Sequence, residues 1–176
     1  MTLRSDGDRP PVLIVGVGSE LRSDDAAGRR VAELLVARHP PGAVEVRVAH
    51  QLTPELADMM TGRELVIVVD ASVEVREVTS EEVDTGPAAG GEVTGVMSHH
   101  LDVAALIDLT RLLGERPRQV RTLAVPAYDL TLGTALSPGT TAAVSVAVVR
   151  IMQLCREVVG SPRSLEQATA PDGSSR

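Results

Sequence analysis

The spacing of apolar residues divides this chain into elements. Val12-Leu13-Ile14-Val15 runs without a break into Gly16-Val17-Gly18, and Leu65-Val66-Ile67-Val68-Val69 runs without a break into Asp70. A β-branched run with no polar alternation predicts a strand covered on both faces, as in a parallel sheet. Two more strands are predicted at Val44–Ala49 and Val120–Val125, the second stopped by Pro126. From Val73 to Val83 polar and apolar residues alternate, the pattern of a half-exposed strand. That strand follows Asp70 too closely for a helical crossover, so it is expected to be antiparallel or at an edge.

Between the strands the period changes to three and four. A helix is predicted from Asp24 or Asp25 to about Arg38, with Val31, Leu34 and Leu35 facing inward, and His39-Pro40-Pro41-Gly42 ends it. Thr53-Pro54-Glu55 opens a short helix, since proline suits the first helical position, and Gly62 closes it. Ser98 to Leu113 has helical spacing after a loop over Thr85 to Gly95. Ser137-Pro138 is a good helix start, and that last helix is predicted to reach about Val159. Strands alternating with helices predict one α/β domain, a mostly parallel sheet with helices on both faces in three layers. The domain is expected over residues 12–160. A polar lead-in (1–11) and a polar tail (161–176) are both expected to be disordered.

Composition narrows the function more than the fold. The chain has 176 residues, enough for one ordinary core. Tyr128 is its only aromatic residue, so the core must be aliphatic. The net charge of −7 and the lack of any basic cluster argue against nucleic acid. No apolar run reaches the roughly 18 residues of a membrane span, and residues 1–11 lack the apolar core of a signal peptide. No membrane contact and a cytoplasmic location are therefore expected. Cys155 is the single cysteine, which excludes a disulfide framework and a cysteine metal site. Its place in an apolar helical pattern predicts a small buried hydrophobe.

In open α/β sheets, ligands bind beyond the carboxyl ends of the strands. That rule selects Glu20, Asp24 and Asp25 after the first strand, Asp70 on the third, the adjacent His99 and His100, and Tyr128 and Asp129 after the last. Asp70 is the most telling, because an apolar strand delivers its carboxylate to the sheet edge, where it must be solvated, paired or metal-bound. Asp24 and Asp25 can cap the following helix, or Asp24 can cap while Asp25 faces the cleft. His50, just past the second strand, is a weaker candidate for the cleft rim, and His39 has no assigned role. Two carboxylates and an imidazole from separate loops are a donor set for a divalent transition metal. Gly16-Val17-Gly18 is a poor dinucleotide fingerprint: the third glycine is missing and an acidic pair occupies the phosphate position. No organic cofactor is expected. Ser98 beside His99 lacks the glycine-flanked elbow of a serine nucleophile.

The stretch Val12 to Ala32 resembles the opening of the hydrogenase maturation proteases, an apolar strand followed by Gly-x-Gly-Asn-x-Leu-x-x-Asp-Asp/Glu-x-x-Gly. The likeness is carried by Gly16, Gly18, Leu21, Asp24, Asp25 and Gly28. Val69-Asp70-Ala71, Ser98-His99-His100-Leu101 and Gly133 to Ser137 are similar to later segments of that family, so the likeness spans about residues 12 to 159. The family's asparagine is Ser19 here, a residue that also hydrogen-bonds within tight loops. The resemblance implies a five-stranded sheet and an endopeptidase. Its substrate would be the precursor of the [NiFe] hydrogenase large subunit, trimmed at its C-terminal extension after nickel insertion. It further implies that Asp25, Asp70 and His99 contact that substrate-borne nickel, with Asp25 and Asp70 as the catalytic carboxylates. The spacing to Leu101 favours His99 over His100. Two other functions suit the same cleft: a nickel-reading binding module or chaperone that grips the precursor without cutting, and a peptidase of the same fold with another substrate.

Overall fold

The computed structural model describes residues 9–38, 42–86 and 102–159. Five strands form one sheet: β1 (Val12–Val17), β2 (Val44–Ala49), β3 (Leu65–Ser72), β4 (Thr79–Val83) and β5 (Gln119–Pro126). Their order is β2-β1-β3-β5-β4, and every pairing is parallel except β4 against β5. Among the described residues, four α-helices cover the sheet: α1 (Ala27–Val36), α2 (Glu55–Met60), α3 (Val103–Leu113) and α4 (Pro138–Val159).

The uninterrupted apolar runs are explained by the two faces. Val12 and Ile14 of β1 and Leu65, Ile67 and Val69 of β3 pack under α1 and α4, against Val31, Leu35, Val144, Ala147 and Ile151. Leu13 and Val15 of β1 and Val66 and Val68 of β3 point the other way, to Leu56 and Met60 of α2 and Leu106 and Ile107 of α3. Both faces are thus closed, as the sequence pattern predicted. Cys155 is 2% exposed within the first of these cores, and burial pushes its thiol up to about 11. It is an inert packing residue, as expected.

Three expectations need adjusting. The alternating segment Val73 to Val83 is a strand only over Thr79–Val83. Its first half crosses the end of β5 so that β4 can pair antiparallel on the far side; the expected edge placement holds. The helix predicted from Ser98 has its described start at Val103, where the Asp102 side chain accepts from Ala105 N at 2.7 Å; residues 98–101 lie outside the described ones. Residues 9–11 of the expected lead-in are tied to the domain, because Pro11 O accepts from Glu64 N at 2.9 Å and Arg9 pairs with Asp58 at 3.3 Å. Residues 1–8 and 160–176 lie outside the described residues.

The topology places the site. After β1 the chain crosses one way to β2, and after α2 it crosses the other way to β3. The sheet order reverses between β1 and β3, and a crevice opens beyond their carboxyl ends. The β1–β3 ladder stops at Gly16↔Val69, while β3 runs on to Ser72 against β5 alone. Asp70 is the first residue of β3 past the point where β1 turns away.

Candidate active site

Close approach of backbones builds one wall of the crevice. A Cβ on Gly28 would lie 2.2 Å from Val69 O and 2.5 Å from Val17 O, and one on Gly16 would lie 2.3 Å from Gly28 O. Only glycine at both positions lets the first turn of α1 rest on the ends of β1 and β3. Gly18 has φ +144°, and a Cβ there would lie 1.9 Å from Asp25 O. The carbonyl of Asp25 thus lies directly against Gly18.

Asp25 is half-buried, and its Oδ2 accepts from Ser19 N at 2.9 Å. Ser19 Oγ in turn accepts from Leu21 N at 3.4 Å, so serine supplies the turn hydrogen bond expected of it. Asp70 accepts only from Ala71 N, at 2.8 Å, among the described residues. One side of Asp70 remains open to solvent. Even so, desolvation by the surrounding strand ends lifts its carboxyl to about 6; the Ala71 hydrogen bond opposes the rise and the negative charge of Asp25 adds to it. Asp25 and Asp70 therefore feel each other across the crevice. Asp25 also lines a cleft of about 250 Å³ with Ala71, Ser72, Glu74, Ala127 and Leu130. Its walls are mostly apolar and its polar groups are Asp25, Ser72 and Glu74.

Asp24 does not cap α1. A short 3-10 helix (Ser23–Ala26) intervenes, and neither Asp24 nor Asp25 makes a side-chain cap there. Asp24 is instead fully buried. It accepts from Tyr128 N and Asp129 N at 2.8 Å each, from Ser137 N at 2.6 Å and from Ser137 Oγ at 2.8 Å. Loss of water is the largest single influence and pushes its pKa up, but the four donors outweigh it and hold the carboxyl at about 2. Nothing in the sequence signalled this role. Ser137 is legible as the cap of α4, and Thr140 N does donate to its Oγ at 3.3 Å, but its second partner lies 113 residues away.

The other candidates are accounted for separately. Glu20 pairs with Arg29 of α1. Asp129 accepts from Thr131 N at 2.9 Å and Thr131 Oγ1 at 2.7 Å, closing its own turn. Tyr128 is exposed, and its hydroxyl donates to Arg76 O at 3.4 Å. His50 is exposed just past β2. His39, Ser98, His99 and His100 lie outside the described residues, and among the described residues no three His, Cys, Asp or Glu side chains stand together as a metal site. A roomier cleft, about 590 Å³, lies between α1 and α4, but its charged residues Arg29, Arg30, Glu20 and Glu33 pair with one another.

The doubly wound sheet brings two carboxylates, Asp25 and Asp70, to the carboxyl ends of its strands beside the switch point, where such sheets bind their ligands. No protein-family model matches the chain. It is 28% identical over 154 residues to the hydrogenase 2 maturation protease of Escherichia coli strain K12, covering 83% of this chain and 91% of that one. Among solved structures it is similar to the hydrogenase maturating endopeptidase HybD from E. coli, with 25% identity, a TM-score of 0.64, and 84% and 93% of the two chains covered. It is also similar to an endopeptidase from E. coli solved in solution, with 27% identity, a TM-score of 0.63 and the same coverage. The chain is thus similar in sequence and in fold to hydrogenase maturation proteases over most of its length. Among the described residues no helix is long and apolar enough to cross a membrane.

Proposed function

We propose that this protein is a cytoplasmic endopeptidase that removes the C-terminal extension of the large-subunit precursor of a [NiFe] hydrogenase once nickel is in place. Asp25, Asp70 and His99 contact the nickel carried by that substrate. The observation that supports the reading is that Asp25 and Asp70 come to the same strand ends, near enough for the charge of Asp25 to raise Asp70, in a chain similar to hydrogenase maturation proteases. Carboxylate oxygens and an imidazole nitrogen are suitable donors for a divalent transition metal whose shell still has open positions.

In this reading nickel acts as a docking point. Bound between precursor and enzyme, it holds the scissile peptide beside the carboxylates and makes an intermolecular encounter an oriented one. A water molecule gives up a proton and adds to the peptide carbonyl carbon. The C–N bond then breaks, and the leaving nitrogen takes a proton. Asp70, lifted to about 6, has the basicity of a group that exchanges protons near neutral pH. The apolar walls of the neighbouring cleft accommodate an extended segment of the precursor.

The test compares nickel-loaded and nickel-free precursor incubated with the protein, each weighed by mass spectrometry. Loss of a C-terminal peptide from the nickel-loaded form alone, abolished by Asp25→Asn, is the expected result. Binding of the precursor without any loss of mass would overturn the protease reading in favour of a binding module.

A further inference from the structure

We propose that Asp24 is a positioning residue: its buried carboxylate sets where the neighbouring Asp25 stands by clamping the turn between β1 and α1 to the loop between β5 and α4. The inference rests on the reading of Asp25 as an active-site group.

The carboxylate is saturated from one direction. All four of its donors come from residues 128–137, and none comes from its own turn. The backbones repeat the connection: Asp24 N donates to Asp129 O at 2.9 Å, Ser23 N to Gly133 O at 2.8 Å, and Gly133 N to Leu21 O at 3.1 Å. Ser23 is held at φ +47°, a left-handed conformation that non-glycine residues keep only where the surroundings over-determine it.

Asp25 is fixed mainly through the turn it belongs to. Its N donates to Arg22 O at 3.0 Å within that turn, its side chain has the single hydrogen bond from Ser19 N, and its carbonyl packs over Gly18. Its position therefore follows the turn, and Asp24 is the side chain that ties the turn to the β5–α4 loop. The chemistry of the clamp also requires a carboxylate. Four donors converge on two oxygens, so an amide at position 24 would turn its own N–H groups toward at least one of them. A helix start alone would not need such a group. The β5–α4 loop, which contributes Leu130 to the cleft, thereby becomes part of the frame that holds Asp25.

The test reads amide hydrogen exchange by NMR on the full chain, together with kcat and KM for the nickel-loaded precursor, in wild type, Asp24→Asn, Ser137→Ala and Ser137→Thr. In Asp24→Asn the Ser19 amide is expected to exchange at least tenfold faster while the amides of β1 and β3 keep their protection. Over the same change kcat per folded molecule falls at least tenfold and KM moves less than threefold. Ser137→Ala shifts both in the same direction by less, and Ser137→Thr, which keeps the hydroxyl, restores them. An unchanged Ser19 amide in folded Asp24→Asn would overturn the positioning role. Should that variant lose strand protection as well, the same amide in Ser137→Ala decides the question. A wild type that cleaves nothing would sink the protease reading, while the exchange data would still decide whether Asp24 holds Asp25.

Discussion

Asp24 and Asp70 stand at the same end of the same sheet, and their surroundings drive them apart. Asp24 is sealed from water yet held at about 2, because four hydrogen-bond donors converge on it. Asp70 keeps a side open to solvent yet rises to about 6, because desolvation and the charge of Asp25 meet a single backbone donor. Exposure alone would have ranked them the other way. The number of donors separates them: a satisfied carboxylate fastens the structure, whereas an under-satisfied one stays available for a proton or a metal.

The hardest way to break the anchor side of this comparison is Asp24→Ala. It leaves the donors of Tyr128, Asp129 and Ser137 without their acceptor in a buried site, and the expected loss is about 3–5 kcal/mol in urea unfolding at pH 7. The pH dependence carries a further signature. Because folding lowers the Asp24 pKa from 3.8 to about 2, its contribution is complete above pH 4 and is lost as the pH falls through about 2. Wild-type stability should drop across that window more steeply than that of Asp24→Asn.

Gly28→Ala comes next. The new methyl would meet backbone oxygens of both β1 and β3, and backbone cannot swing aside as a side chain does. The cost is expected at about 2–3 kcal/mol in the same unfolding measurement. Because one of those oxygens belongs to Val69, beside Asp70, cleavage should fall as well.

Asp70→Asn should move stability the opposite way. Folding raises the Asp70 pKa from 3.8 to about 6, so the charged form destabilises the native state above pH 6, progressively less toward pH 4, and not at all below it. A shift of that size corresponds to about 3 kcal/mol, which partial exposure reduces to roughly 1 kcal/mol. The variant should therefore melt higher than wild type at pH 7 and match it at pH 4. Under the proposed function it also loses cleavage by about a hundredfold or more. A stabilised, inactive variant is the sharpest contrast with Asp24→Ala.

The smallest effect is expected at Leu132, which is 88% exposed on the anchoring loop. Leu132→Ser should leave stability within about 0.5 kcal/mol, showing that residues 128–137 are held by their backbone and by Asp24, with little help from apolar side chains.

Much of the architecture was legible because its cause is local. The unbroken run Val12 to Val15 and the run Leu65 to Val69 announced strands covered on both faces, and Ser137-Pro138 announced the start of α4. The end of β3 was less legible, since pairing with β5 carries it two residues past Asp70. The alternation from Val73 was misleading over its first half, because β4 takes up its pairing only after the chain has crossed the end of β5. Asp25 and Asp70 were selected by the rule that ligands sit beyond strand ends, and the structure brings both to that end of the sheet, whereas Glu74 and Leu130 at the cleft carried no pattern of their own.

The sequence by itself determined which segments form strands and helices, which residues are buried on two sides, and that acidic side chains reach one edge of the sheet. Those properties follow from the period of apolar residues and from the few residue types that tolerate turns. Only the tertiary structure decided that Asp24 and Asp25, adjacent and chemically alike, have different work. One turns inward to donors more than a hundred residues away, and the other lines the cleft beside the end of β3. Hydrogen-bond donors from distant backbone leave no trace in composition or spacing, so the anchoring role of Asp24, expected at most as a helix cap, becomes visible only when the loops are brought together.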